Sequence, residues 1–231
     1  QITGNMPRVG RIGLAYFASP KGKILTEMTV TRLAKNDFLL MTGAGAYWHD
    51  RDLLMASLPA GGLVTINDVT RNLATLLVTG PKAPAILADM TGQSMTHEDF
   101  AWLSHRKIDL AGCQANVIRV SFAGEAGFEI HCQMDDVVAV YDAVMAAGAA
   151  HQLRPFGMLA LDSMRLEKGY RSWKSDLTSD YTMFDSGLGR WVNFNKEESV
   201  GRAALRAEKP AGSRGELVPL RAADRADEAA S

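Results

Sequence analysis

Cysteine is nearly missing from this chain. Cys113 and Cys132 are the only two, and they form neither a C-x-x-C pair nor a zinc-type spacing. That argues against a disulfide-stapled scaffold and a zinc module. Each lies in or beside an apolar strand pattern, where a cysteine acts as a small hydrophobe. The histidines (His49, His97, His105, His131 and His151) also lack metal spacing, so no metal site is expected. An excess of either charge is absent as well. Lys and Arg total 25 against 26 Asp and Glu, giving a net charge of -1. The basic residues are scattered, so no nucleic-acid partner is expected. No apolar run approaches the ~18 residues of a membrane span, and no signal-peptide pattern opens the chain. The expected setting is soluble, reducing and cytoplasmic, with no membrane partner.

The common fingerprints of nucleotide and nucleophile chemistry are absent too. There is no P-loop and no G-x-S-x-G elbow. Gly43-Ala-Gly45 lacks the third glycine of a dinucleotide turn, because Trp48 holds that place. Gly187-Leu-Gly189 leads to Val192 instead.

What is present begins with hydrophobic content of 47% and charged content of 22%, ordinary for a globular protein. Strand-like alternation covers residues 11–18, 23–32 and 38–42, with Ser19-Pro20-Lys21-Gly22 as turn chemistry between the first two. Residues 46–58 read as a helix with Tyr47, Leu54, Met55 and Leu58 on one stripe. Residues 63–69 and 73–79 read as strands, and Gly80-Pro81 opens a helix to residue 90. Residues 91–104 are irregular. Strands follow at 106–110, 115–122 and 128–132. A helix from Asp135 to Gly148 is expected to bury Val137, Val138, Tyr141, Val144 and Met145. Strand, helix, hairpin strands, helix resembles a split β-α-β unit, so the expected class is α+β with antiparallel sheets and packed helices.

Two stretches concentrate the chemistry. Arg119-Val-Ser-Phe-Ala-Gly-Glu-Ala-Gly-Phe-Glu-Ile130 reads as strand, turn, strand, and places Glu129 between Phe128 and Ile130. A carboxylate in such a strand is costly to bury without a partner, and a ligand offering a row of N–H donors is one such partner. Leu159-Ala-Leu-Asp-Ser-Met-Arg-Leu-Glu-Lys-Gly-Tyr170 reads as an amphipathic helix ending at Gly169, followed by Tyr170 and Trp173. An acidic anchor with aromatic walls suits a flat heteroaromatic molecule. Each residue also has a plain reading. Glu27 and Glu129 can be solvent-facing strand residues, and Tyr170 and Trp173 can be core. Asp162 and Arg165 can form a structural i,i+3 pair.

Lys21-Gly-Lys-Ile-Leu-Thr-Glu-Met-Thr-Val-Thr31, Phe122-Ala-Gly-Glu-Ala-Gly-Phe-Glu129 and Asp162-Ser-Met-Arg-Leu-Glu-Lys-Gly-Tyr170 resemble the tetrahydrofolate-binding aminomethyltransferase family, the glycine-cleavage T-protein. The chain is more similar to the folate domain of dimethylglycine and sarcosine dehydrogenases, through Pro20-Lys-Gly-Lys23, Arg165-Leu-Glu-Lys168 and Trp173 followed by Ser175. The resemblance implies the aminomethyltransferase folate-binding fold with a ferredoxin-like unit, truncated at both ends. It implies a first folate-binding subdomain remaining over 1–72, a ferredoxin-like subdomain over 73–150 and a return segment over 151–215. Residues 216–231 would be the frayed start of a missing C-terminal barrel.

For the site, the resemblance implies Glu27 at the position of the family's catalytic aspartate, near folate N10. It implies Glu129 as pterin anchor, Phe122 and Tyr170 as walls, and Trp173 nearby. Leu161 and Gly43 stand where the T-protein carries a folate-contacting arginine and an asparagine, and Leu14 where it carries a tyrosine. The implied activity converts a methylene iminium or formaldehyde plus tetrahydrofolate to 5,10-methylenetetrahydrofolate. The implied partners are a small methylated amine, folate and an upstream flavin domain, which alone would hold FAD. A stand-alone aminomethyltransferase, a folate-dependent demethylase and a non-catalytic folate-binding accessory protein stay open as alternatives.

Overall fold

Alternating burial along the first forty residues builds a three-stranded antiparallel sheet in the computed structural model, which describes residues 5–196 and 199–211 with Gly215, Leu217, Val218 and Leu220. Its strands are β1 (Ile12–Ala18), β2 (Ile24–Ala34) and β3 (Asp37–Met41), in that order, so β2 is central rather than an edge. The turn from β1 to β2 closes through Gly22 N–H donating to Ser19 O at 2.9 Å. Gly22 has φ +78, and a Cβ there would meet the Leu205 side chain at 3.1 Å. Both the dihedral and the close approach require glycine.

A bulge follows the turn. Ala18 pairs with Ile24 but Phe17 pairs with Thr26, so Leu25 is the extra residue. That one-residue shift sets Tyr16 directly opposite Glu27.

Helix α1 (Tyr47–Ala56) docks differently from the expected stripe. Met55 is exposed, and the helix's one buried residue is Asp50. Asp50 accepts hydrogen bonds from Thr26 at 2.8 Å and from Thr42, and His49 Nδ1 lies 2.8 Å from its other oxygen. A buried carboxylate held by two hydroxyls, not an apolar face, fastens this helix to the sheet. The strand expected over 63–69 does not form. Its apolar residues are exposed, Leu63 at 91%, because alternation yields a strand only where a neighbour completes the ladder.

The second sheet contains β4 (Leu73–Thr79), β5 (His105–Leu110), β6 (Cys113–Ile118) and β7 (Gly127–Gln133), ordered β4-β7-β6-β5 and antiparallel throughout. Helices α2 (Ala83–Thr91) and α3 (Val137–Gly148) cover one face. The connection through α2 thus spans the full width of the sheet. Even-numbered residues of β7, Phe128, Ile130 and Cys132, join Val117, Leu87, Val140 and Val144 in the core. Full burial of a side chain such as Phe128 contributes roughly 2–3 kcal/mol.

Helix α3 is rotated from the expected orientation. Val140, Val144 and Gly148 are buried, while Val138 and Tyr141 face solvent. The irregular stretch over 91–104 is pinned by buried Arg119, whose guanidinium donates to the carbonyls of Met95, Thr96 and Phe100.

The chain then returns through α4 (Met158–Glu167) to α5 (Arg202–Ala211). A second core gathers Tyr16, Ala18 and Ile24 of the first sheet with Leu177, Met183, Val192 and Leu205, and Trp173 packs against it. The two sheets meet where Ile12 N–H donates to Leu103 O at 3.0 Å and His105 N–H to Gly10 O at 2.9 Å. The stretch expected to fray over 216–231 lies outside the described residues, apart from Leu217, Val218 and Leu220. No described helix is long and apolar enough to cross a membrane.

Candidate functional site

Odd-numbered residues of β7 face away from α2 and α3, so Glu129 projects from the opposite face of the second sheet. Its side chain is 26% exposed, and its Oε2 lies 3.3 Å from Nε2 of His131, two residues on. Its cross-strand neighbours are Leu77 on β4 and Ile118 on β6. Glu129 therefore has apolar cross-strand neighbours on both sides and keeps part of its side chain exposed.

The turn from β6 to β7 carries Phe122. Its packing against the end of α4 is tight, since a Cβ on Gly124 would meet the Lys168 side chain at 2.6 Å. This places Phe122 beside Tyr170, with ring centroids 6.5 Å apart and planes 21° from parallel. Both rings are partly exposed. The pair sits at the end of the sheet where β7 begins, and Glu129 is two residues in, about 7 Å along the strand.

Tyr170 is held by its backbone. Buried Arg165 donates to Tyr170 O at 3.0 Å, to Asp162 at 2.6 Å and to Asp176. The i,i+3 pair read from the sequence thus belongs to a larger clamp on the return segment.

Leu161, also on α4, lines a groove of about 660 Å³ along the unpaired edge of β4. Thr75 and Leu77, the cross-strand partners of His131 and Glu129, line the same groove. Glu129 itself does not line that groove, which also takes in Ile86 of α2 and Tyr141 of α3.

Glu27 lies on the first sheet and is half-buried. Burial pushes its carboxyl above the usual range, and a hydrogen bond from the Tyr16 hydroxyl partly offsets that rise. The Tyr16 hydroxyl is itself pushed far up, by burial first and then by the Glu27 charge and hydrogen bond, with Arg171 acting in the opposite sense. Trp173 is half-buried against the core that contains Tyr16, and its Nε1 has no hydrogen-bond partner among the described residues. A carboxylate of raised proton affinity beside a phenol can accept and return a proton.

The structure thus places Phe122 with Tyr170, Leu161 in a groove along β4 that Glu129 does not line, and Trp173 against the core that includes the partner of Glu27. Three participants escaped sequence reasoning. Tyr16 was hidden by the bulge, and Arg171 by its distance along the chain. His131 had a legible signal, because residues two apart on a strand share a face. Among the described residues no cluster could hold a metal ion.

Comparison with known proteins gives this geometry its context. A family model described as the GCVT N-terminal domain matches residues 2–196. The chain is 33% identical over 217 residues to mitochondrial dimethylglycine dehydrogenase of Homo sapiens, covering 93% of this chain and 25% of that protein. It is 31% identical over 213 residues to the aminomethyltransferase of Bacillus subtilis (strain 168), covering 91% and 58% respectively. The crystal structure of glycine cleavage system aminomethyltransferase T from Bartonella henselae superposes with a TM-score of 0.74 at 24% identity, covering 89% of this chain and 54% of that one. The chain thus spans a quarter of the human dehydrogenase and just over half of the bacterial enzymes. A family match over most of its length, two relatives above 30% identity and a shared fold establish that the chain belongs to the GCVT N-terminal domain family.

Proposed function

We propose that this chain is the folate-dependent one-carbon transfer domain of an enzyme of the dimethylglycine or sarcosine dehydrogenase type. The observation that carries the reading is the partly exposed Glu129 on the sheet face away from α2 and α3, near the end where the Phe122 and Tyr170 rings stack. The donor set suits a reduced pterin. A carboxylate accepts a fork of two N–H donors in bidentate fashion, and partly exposed rings provide an apolar wall for a flat ring.

Tetrahydrofolate, when bound, supplies the nitrogens that take up the carbon of a methylene iminium or formaldehyde. Glu129 orients the pterin. Phe122 and Tyr170 shield it from water, and Trp173 lies near the second carboxylate. Glu27 accepts the proton given up as the new bond to carbon forms, and Tyr16 holds that carboxylate in place. FAD belongs, on this reading, to a flavin domain outside this chain.

A second reading, a stand-alone aminomethyltransferase taking its carbon from a protein-bound aminomethyl group, draws support from the identity to the Bacillus subtilis enzyme. Leu161 and Gly43, standing where that resemblance implies arginine and asparagine, favour the dehydrogenase type.

Calorimetry with tetrahydrofolate tests the anchor. Glu129→Ala is expected to lose binding with an unchanged circular dichroism spectrum. Glu27→Ala is expected to keep the affinity and slow the transfer step about a hundredfold or more. Wild-type affinity in the Glu129 variant would defeat the proposal. Supplying the carbon as formaldehyde or as a protein-bound aminomethyl group separates the two readings.

A further inference from the structure

His131 is a buried histidine with one satisfied nitrogen. Its side chain is 1% exposed, on the sheet face away from α2 and α3. Nδ1 lies 2.9 Å from the Thr75 hydroxyl. Nε2 lies 3.3 Å from Glu129 Oε2, yet it has no aligned hydrogen-bond partner among the described residues. Asn116, opposite His131 on β6, is turned instead to His105 Nε2 at 2.9 Å. An orphaned buried donor is uncommon, and it calls for a physical reason.

The two flanking groups decide where the ring proton sits. A carboxylate oxygen only accepts, so a bare nitrogen facing it would be repelled. A threonine hydroxyl donates or accepts, so Thr75 suits Nδ1 in either state. Nε2 therefore carries a proton and points it at Glu129. The carboxylate turns about a soft terminal torsion, and its rotation is the motion that would align this contact.

We propose that His131 is a positioning residue for Glu129, its Nε2–H fixing the plane of the carboxylate that accepts a ligand's paired N–H donors. The contact closes into an aligned bond when the ligand's fork selects one carboxylate rotation. Binding and satisfaction of the buried imidazole are then one event, and the affinity gained is that of preorganisation. The proposal rests on the folate reading of the site for its ligand, but not for the His131–Glu129 contact itself.

Imidazole nitrogen chemical shifts, measured on the ligand-free protein labelled with ¹⁵N, test the contact alone. His131 is expected to carry its proton on Nε2, and Glu129→Ala is expected to move the Nε2 shift more than that of Nδ1. A neutral ring protonated on Nδ1, or an Nε2 shift unmoved in that variant, overturns the proposal. Calorimetry with tetrahydrofolate then tests its consequence. His131→Leu is expected to weaken binding about tenfold, the size of one hydrogen bond to a charged group. His131→Gln, which keeps an N–H at similar reach, is expected to recover most of that loss. Equal weakening in both variants would assign His131 a packing role and overturn the positioning role. Should tetrahydrofolate bind no form of the protein, the folate reading fails, while the nitrogen shifts still decide the contact.

Discussion

At the scale of single residues, Glu27 shows how a buried carboxylate loads the fold. Burial favours its neutral form, and the Tyr16 hydroxyl only partly restores the charged one. Its proton affinity is thus higher folded than unfolded. Between the two values the native state binds more protons, so stability falls as pH rises through the folded value. Glu27 therefore weakens the fold near neutral pH and ceases to do so once protonated. Glu27→Gln is expected to melt at a higher temperature than wild type near neutral pH, and at the same temperature near about pH 3, below the ordinary carboxylate range. Thermal melts across that range check it, and an equal advantage at both ends would contradict it. Tyr16→Phe removes the offsetting hydrogen bond and is expected to move the loss of stability to higher pH.

At the scale of elements, the sequence was a good guide wherever one period met one partner. β1, β4 and β7 are short apolar-rich runs, and the structure keeps them within two residues of the expected ends. Residues 63–69 are apolar-rich as well and form no strand, because a neighbour, not a composition, completes a ladder. The Tyr16–Glu27 pairing was illegible for a related reason. A bulge at Leu25 shifts the register by one residue, and one residue exchanges the sheet faces. In α3 the apolar residues wrap too far round for the sequence to single out a buried stripe. Packing against the sheet selects Val140 and Val144 and leaves Val138 outside, 67% exposed. That choice is testable. Val140→Ala is expected to cost on the order of 2 kcal/mol, whereas Val138→Ala should stay within about 0.5 kcal/mol of wild type. Urea unfolding measures both, and equal losses would mean that α3 is rotated from the position described.

At the scale of the molecule, the proposed site depends on the return segment that follows α4. Glu129 stands on one sheet and Glu27 on the other, and residues 170–173 reach toward both: Tyr170 beside Phe122, Trp173 in the core with Tyr16. The aromatic residues were legible in the sequence as candidates, but their placement was not, because it follows from contacts remote along the chain. Arg165 supplies many of those contacts. It is 4% exposed, bonded to Tyr170 O, Asp162 and Asp176, and Asp176 in turn accepts from Ser172 N–H at 2.8 Å. Removing the guanidinium leaves a carbonyl and two carboxylates without their donor. Both carboxylates keep some access to water, so the cost is expected at or below the low end for a broken buried ion pair, roughly 3 kcal/mol or less for Arg165→Met. Val140→Ala loses a similar amount in a core cluster that includes none of these residues. The pair therefore separates stability from positioning. At a temperature where both variants are folded, Arg165→Met is expected to bind tetrahydrofolate at least tenfold more weakly, and Val140→Ala as wild type. If both variants bind alike, the return segment does not organise the site, and Phe122 and Tyr170 lose their role as its walls.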